Sequence, residues 1–160
     1  MGNDSVMNNN VELDTLRSDI DEIDLKIQAL LNERAGCAER VAEIKLRDTA
    51  KETDSKIQTN FFYRPEREAQ VLRKITERND GPLRNETLVT IFREIMSACL
   101  SLEKPLRVSY LGPQGTFSQA AALKHFGHAV ECRSASSIDQ VFAHVESGES
   151  DYGVVPVENS

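Results

Sequence analysis

Positive charge is scarce in this sequence. Nineteen lysines and arginines face 26 aspartates and glutamates, for a formal net charge of -7 over 160 residues. Such a surface does not favour nucleic acid or anionic membranes. Any anionic ligand must be held by a local cluster of bases, against the overall field. Cysteine is scarcer still, with only Cys37, Cys99 and Cys132. An odd count without a CxxC pair argues against a disulfide framework and against a zinc site. No run is long and apolar enough to cross a bilayer. The opening MGNDSVMNNN lacks the basic and apolar regions of a signal peptide and reads as a flexible arm over residues 1–11. A reducing cytoplasm is the expected compartment. With 39% hydrophobic and 28% charged residues, the chain has the composition of a globular protein. Its length suits one ordinary domain, or one small domain and part of another.

What is present begins with a helical pattern from Val11 to Leu46. With Leu13 as heptad position a, the a set is Leu13, Ile20, Ile27, Arg34 and Val41. The d set is Leu16, Ile23, Leu30, Cys37 and Ile44. All but Arg34 are apolar if cysteine is counted, and the flanking residues are mostly charged, which predicts a helix. About 35 residues at ~1.5 Å each make a rod of roughly 50 Å, which needs partners along its whole length. Gly36 weakens it by about 1 kcal/mol relative to alanine.

Residues 47–63 read as a long connection that ends in Phe61, Phe62 and Tyr63, which are expected to tuck back onto the helices. Pro65 suits the first position of a second helix, and the acids after it suit a helix N-terminus. That helix continues through Val71, Leu72 and Ile75 and stops at Asn79-Asp80-Gly81-Pro82. A third helix is predicted over 85–103, with the stripe Leu88, Ile91, Phe92, Ile95, Met96, Cys99 and Leu102, and Pro105 ends it.

Beyond Pro105 the period changes. Residues 107–111 read as a strand, 112–115 as a turn and 116–126 as a helix. A strand follows over 129–133, then a helix over 136–147 with a Ser136-x-x-Asp139 capping box, then a strand over 152–155. This βαβαβ order implies a parallel sheet. Three strands and two helices are thin for an independent domain, so this second unit reads as cut off. The predicted fold is an all-α three-helix domain over 12–104, followed by a truncated α/β segment over 105–160.

Arg34 breaks the apolar stripe. It lies 11 residues before Lys45, about 20° around the helix and roughly 16 Å along it. Two such side chains can grip one small anion. Arg17 is roughly 40 Å from Lys45 along the same axis, but in an antiparallel dimer it can arrive beside the partner's Arg34. The plain alternative is that a lone arginine at an a position fixes register or snorkels to solvent, and that Arg17 and Lys45 are solvated charges. Burying an unpaired arginine costs several kcal/mol, so Arg34 needs an anion, either a carboxylate such as Glu33 or Glu103 or a ligand. Arg67 and Glu68 offer a further base and acceptor, or simply an exposed helix start. Glu103 shares the stripe of Phe92, Met96 and Cys99, where desolvation would raise its pKa unless it reaches water at the helix end.

The runs LRSDIDEIDLKIQALLNERAGCAERVAEIK, YRPEREAQVLR and IFREIMSACLSLEKPL together resemble the all-helical type of chorismate mutase. VSYLGPQGTFSQAAALKHFG and DYGVVPVENS resemble the opening of a prephenate dehydratase. Their order is that of the bacterial bifunctional chorismate mutase/prephenate dehydratase family, and the resemblance covers essentially everything after residue 11. It implies an intertwined homodimer with long helices paired antiparallel, and chorismate and prephenate as ligands. Arg17 would come from the neighbouring subunit. Arg34 would bind a substrate carboxylate, and Lys45 a carboxylate and the ether oxygen. Glu68, beside Arg67, would accept from the ring hydroxyl, and Cys99 and Glu103 would line the pocket. The implied reaction is a unimolecular [3,3] rearrangement with no cofactor and no metal. Cations would hold the compact diaxial conformer and stabilise charge growing on the ether oxygen.

Three positions depart from the pattern. Glu103 stands where some relatives have Gln, and an ionised Glu103 cannot donate to the ether oxygen, so the active form is expected to carry a proton there. Cys99 stands where relatives have a small hydroxyl. Arg64 stands where some relatives carry an acid, and the connection before it is longer than usual, expected to be disordered or to cover the pocket loosely. Two competing readings are a helical dimerisation module without activity and a binding fragment with a dead mutase domain.

In the second segment, GPQGTFS joins a strand to a helix whose backbone N–H groups can receive an anion; the plain reading is an ordinary strand–helix turn. The resemblance adds Thr116, Ser118 and Asn159 as candidates lining a dehydratase cleft. The family's second lobe, its Thr-Arg-Asp motif and its phenylalanine-sensing domain are absent from this sequence. The expectation is no dehydratase activity and no feedback inhibition from this chain alone.

Overall fold

The computed structural model describes residues 3–49 and 63–157. Three helices precede a small parallel sheet with its own helices, the order expected from the change of period. The chain divides into two units, residues 1–37 and 38–160.

The first unit lies on helix α1 (Asn3–Thr49). The helix starts at Asn3, ahead of the Val11 start that the periodicity suggests, because no glycine or proline between the two interrupts the hydrogen-bond ladder. Along this unit the stripe is open to solvent: Leu13, Leu16, Ile20, Ile23, Ile27 and Leu30 are each 49–64% exposed. So regular an apolar face left uncovered is the mark of an interaction surface.

The second unit carries the last turns of α1, where Ala42 is buried. Helix α2 (Pro65–Glu77) begins as expected, with Pro65 at its first position and Arg64 extended before it, the conformation a following proline imposes. The Arg64 carbonyl accepts from the backbone N–H groups of Arg67 and Glu68 at 3.0 and 3.1 Å. The Asn79 amide nitrogen then closes the turn by donating to the Leu83 carbonyl at 2.8 Å and to Asn85 Oδ1 at 2.7 Å. This returns the chain into α3 (Asn85–Glu103), which packs on α2 and buries Ser97 and Cys99.

Strand β1 (Arg107–Leu111) is the centre of a parallel sheet ordered β2-β1-β3, with β2 at Glu131–Ala135 and β3 at Tyr152–Val154. Its middle residues Val108, Ser109 and Tyr110 are buried, as a strand covered on both faces requires. Alternation sends Val108 to one face, where it meets Ala122 and Phe126 of α4 (Phe117–Phe126). Ser109 points to the other face and hydrogen-bonds His144 Nδ1 of α5 (Ile138–Glu146) at 2.9 Å. Asp151, just before β3, accepts from Arg107 N, Nε and Nη2 at 2.9, 3.3 and 3.1 Å, tying the starts of two strands together.

Several local expectations shift. Strand β2 lies two residues later than 129–133, because Gly127 ends α4 and the chain needs a turn before Glu131 N can donate to the Leu106 carbonyl at 2.8 Å. The cap of α5 is Ser137 rather than Ser136, with its hydroxyl accepting from Gln140 N, while Gln140 Oε1 takes the N–H and hydroxyl of Ser136. Arg47 still belongs to α1 rather than to a connection.

Tyr63 does not tuck onto the helices alone. It stacks edge-on against Phe126 and Tyr152, with ring centroids at 5.7 and 5.4 Å, and so joins the α/β segment. Phe61 and Phe62 lie outside the described residues, as does most of the 47–63 connection. The α/β segment also sits on α3. Gly127 has φ +83°, and a Cβ there would stand 2.4 Å from the Ser97 Cβ. Beside it, Glu94 accepts from the backbone N–H of His128 at 3.0 Å and meets His128 Nδ1 at 2.8 Å.

Candidate active site

Lys45 lies near the end of α1 and Glu103 at the end of α3. Their charged tips meet, with Nζ 4.0 Å from Oε2, although the residues are distant in sequence. The Glu103 side chain is only 7% exposed and that of Lys45 19%. At this separation the contact is electrostatic and too long for a hydrogen bond, and Glu103 Oε2 has no hydrogen-bond partner among the described residues. Burial pushes the Glu103 carboxyl above its ordinary value, and the positive charge of Lys45 only partly opposes the shift. Cys99, one turn earlier on α3, is buried as well. The structure thus brings Lys45, Cys99 and Glu103 onto one region of the second unit.

Glu68, in the first turn of α2, is half-buried and accepts from Arg93 Nε at 3.4 Å. Tyr63 lies beside this carboxylate; burial first, and then the charge of Glu68, raise its phenol well above the ordinary value. Arg67, next to Glu68, is exposed. Arg93 was not singled out from the sequence. It is 25 residues from Glu68, and no local pattern announces a pair that forms only when α2 and α3 pack.

In the first unit, Arg17 is exposed and bonds Asp14 on its own helix at 3.0 Å, a surface pair of small energetic weight. Arg34 is half-buried and enters no ion pair among the described residues.

In the α/β segment, Thr116 caps α4. Its hydroxyl accepts from Gln119 N and donates to the Leu111 carbonyl at 3.4 Å. Ser118 is half-buried in the first turn. The Gly115 N–H is already taken by Gln119 Oε1 at 2.6 Å. Asn159 lies outside the described residues. Among the described residues no group of three or more His, Cys, Asp or Glu is placed to hold a metal ion, and no helix is long and apolar enough to cross a membrane.

A long helix followed by a helical hairpin, with a buried lysine–carboxylate contact at their meeting point, defines the class. Residues 16–104 match the family model of chorismate mutase type II, and residues 108–160 match that of prephenate dehydratase. The chain belongs to the chorismate mutase type II family and continues into a prephenate dehydratase segment. It is 55% identical over 149 residues to the bifunctional chorismate mutase/prephenate dehydratase of Stutzerimonas stutzeri, which covers 93% of this chain and 40% of that protein. The protein of the same name from Pseudomonas aeruginosa is 53% identical over 149 residues, again 93% of this chain and 40% of the relative. That from Aquifex aeolicus is 46% identical over 153 residues, with the same two shares. The chain thus spans about 40% of the length of these curated relatives.

Proposed function

We propose that this chain is a chorismate mutase that rearranges chorismate to prephenate. The Lys45–Glu103 contact is the observation that favours the reading. A buried cation faces a carboxyl biased toward its protonated form, so one site offers a charge for a substrate carboxylate and a hydrogen-bond donor for an ether oxygen. The reaction has no leaving group to capture and no proton to move in net. Its barrier falls when the dianion is held in its compact conformer and charge on the ether oxygen is stabilised as the C–O bond opens. Arg34 and Lys45 grip the two carboxylates, Glu103 donates to the ether oxygen, Glu68 accepts from the ring hydroxyl, and Arg67 and Cys99 complete the wall.

The working form is a homodimer in which α1 pairs antiparallel with its copy. The exposed stripe of Leu13, Leu16, Ile20, Ile23, Ile27 and Leu30 supports this, since covering such a face recovers about 1.5–3 kcal/mol per large side chain. Pairing brings Arg17 of one protomer to the site of the other. Thr116 and Ser118 remain candidates for lining a dehydratase cleft, as does Asn159, which lies outside the described residues.

The test is the loss of chorismate absorbance with the unaltered chain and with Arg34→Ala. Turnover by the first and a fall of about 100-fold or more in the second are expected. Equal rates in both would remove Arg34 from the site, and no turnover by the unaltered chain would end the mutase reading.

A further inference from the structure

The task assigned to Glu68 depends on where its carboxylate points. A glutamate in the first turn of a helix has several rotamers, and fixing it costs entropy. Two groups from outside α2 hold it. Arg93 on α3 donates from Nε to Oε1 at 3.4 Å, with the two side chains 23% and 16% exposed. Tyr63, ahead of α2, lies close enough to the same carboxylate for its charge to act on the phenol. Tyr63 is in turn held by rings of the α/β segment, Phe126 at 5.7 Å and Tyr152 at 5.4 Å. A continuous path of contacts therefore runs from β3 and α4 through Tyr63 to Glu68.

The stretch of α3 that presents Arg93 also seats the α/β segment. The Arg93 carbonyl and Ser97 pack against Gly127, and a Cβ on Gly127 would lie 3.5 Å from that carbonyl oxygen. Moving the segment would therefore disturb both supports of Glu68 together. An ionised carboxylate offers about four acceptor sites, so the Arg93 donor and the neighbouring phenol leave room for a substrate hydroxyl.

We propose that Tyr63 and Arg93 are positioning residues for Glu68, and that the α/β segment, through Phe126 and Tyr152, sets the affinity of the mutase site for its substrate. The inference rests on the mutase reading. The competing view is that these contacts only staple α2 to its neighbours. In that view Tyr63→Phe lowers stability slightly and leaves substrate affinity alone.

A double-mutant cycle on the full chain separates the two. KM and kcat for chorismate are measured for the unaltered protein, Tyr63→Phe, Glu68→Gln and the double variant. Tyr63→Phe keeps the ring, and is expected to raise KM about three- to tenfold with kcat changed less than about twofold. On the Glu68→Gln background the same change is expected to add less than about twofold, because coupled residues are not additive. Tyr152→Leu, which does not touch Glu68, is expected to raise KM in the same way and to lose its effect on that background. Arg93→Lys, which keeps the charge, is expected to retain more affinity than Arg93→Ala. Additive effects in an active enzyme, or a loss confined to kcat, would overturn the proposal and leave the mutase reading intact. An unaltered chain without turnover would overturn both.

Discussion

Lys45 Nζ stands 4.0 Å from Glu103 Oε2, in a region where the carboxylate side chain is almost fully buried. The oxygen facing the lysine accepts no hydrogen bond among the described residues, and a carboxylate left in that state is costly. Protonation relieves the cost, which is why burial outweighs the nearby charge and holds the carboxyl above its usual range.

A pH dependence with a definite sign follows. The folded state holds the Glu103 proton to higher pH than the unfolded chain does. The stability this provides is complete below the ordinary carboxylate value and is lost as pH rises through the folded value. Mutase activity is expected to fall over the same interval, because the ionised group cannot donate and instead draws on Lys45. Glu103→Gln keeps the donor and removes the titration. Its profile of kcat/KM against pH is expected to be flat where that of the parent declines. Matching profiles would show that Glu103 is not the titrating group.

The assignment of Arg17 to the partner subunit is tested by mixing. Arg17→Ala and Arg34→Ala chains are each expected to be inactive. Unfolded together and refolded, they form mixed dimers in which one of the two sites takes Arg34 from the Arg17→Ala chain and Arg17 from the Arg34→Ala chain. Random pairing restores about a quarter of the parental activity. If both arginines act within one chain, mixing restores nothing.

Asp151 is 3% exposed at its side chain and receives three donors from Arg107. Asp151→Ala leaves a backbone N–H and a guanidinium unmatched, and is expected to cost about 2–4 kcal/mol by denaturant unfolding. The pair between Arg133 and Glu149 is half exposed on both sides. Arg133→Ala is expected to cost under about 1 kcal/mol, so the two variants together separate buried from surface pairing.

Gly127→Ala is expected to be the harsher of two changes at the seat of the α/β segment. It places a Cβ 2.4 Å from that of Ser97 on a backbone with φ +83°. Strain and overpacking together cost about 2–4 kcal/mol. The Ser97 hydroxyl is buried and has no hydrogen-bond partner among the described residues. Ser97→Ala is therefore expected to be neutral or mildly stabilising in the same thermal melts.

Elements were legible wherever the physics is local. Pro65 and the Asn79–Pro82 turn placed the bounds of α2, and the change of period after Pro105 announced β1. The seam of α1 was legible as a stripe of period 3.5, and Arg34 as its interruption. Boundaries slipped where two local signals competed. Ser136 and Ser137 are both good caps, and only the position of Gln140 decides between them. Ala129 and Val130 have strand-like character, but the glycine-ended helix before them needs a turn first.

The order of elements, the charges available for an anionic ligand and, through the motifs, the family can all be read from the residues alone. Helix periodicity, turn chemistry and motif spacing act over a few residues, so they survive without coordinates. Long-range packing is what makes Lys45 meet Glu103, sets Arg93 and Tyr63 beside Glu68, and fits Gly127 against Ser97. Those contacts span tens of residues, and their strength comes from burial. Desolvation turns Glu103 from a surface acid into a candidate donor, and no residue carries that information until its neighbours have excluded the water around it.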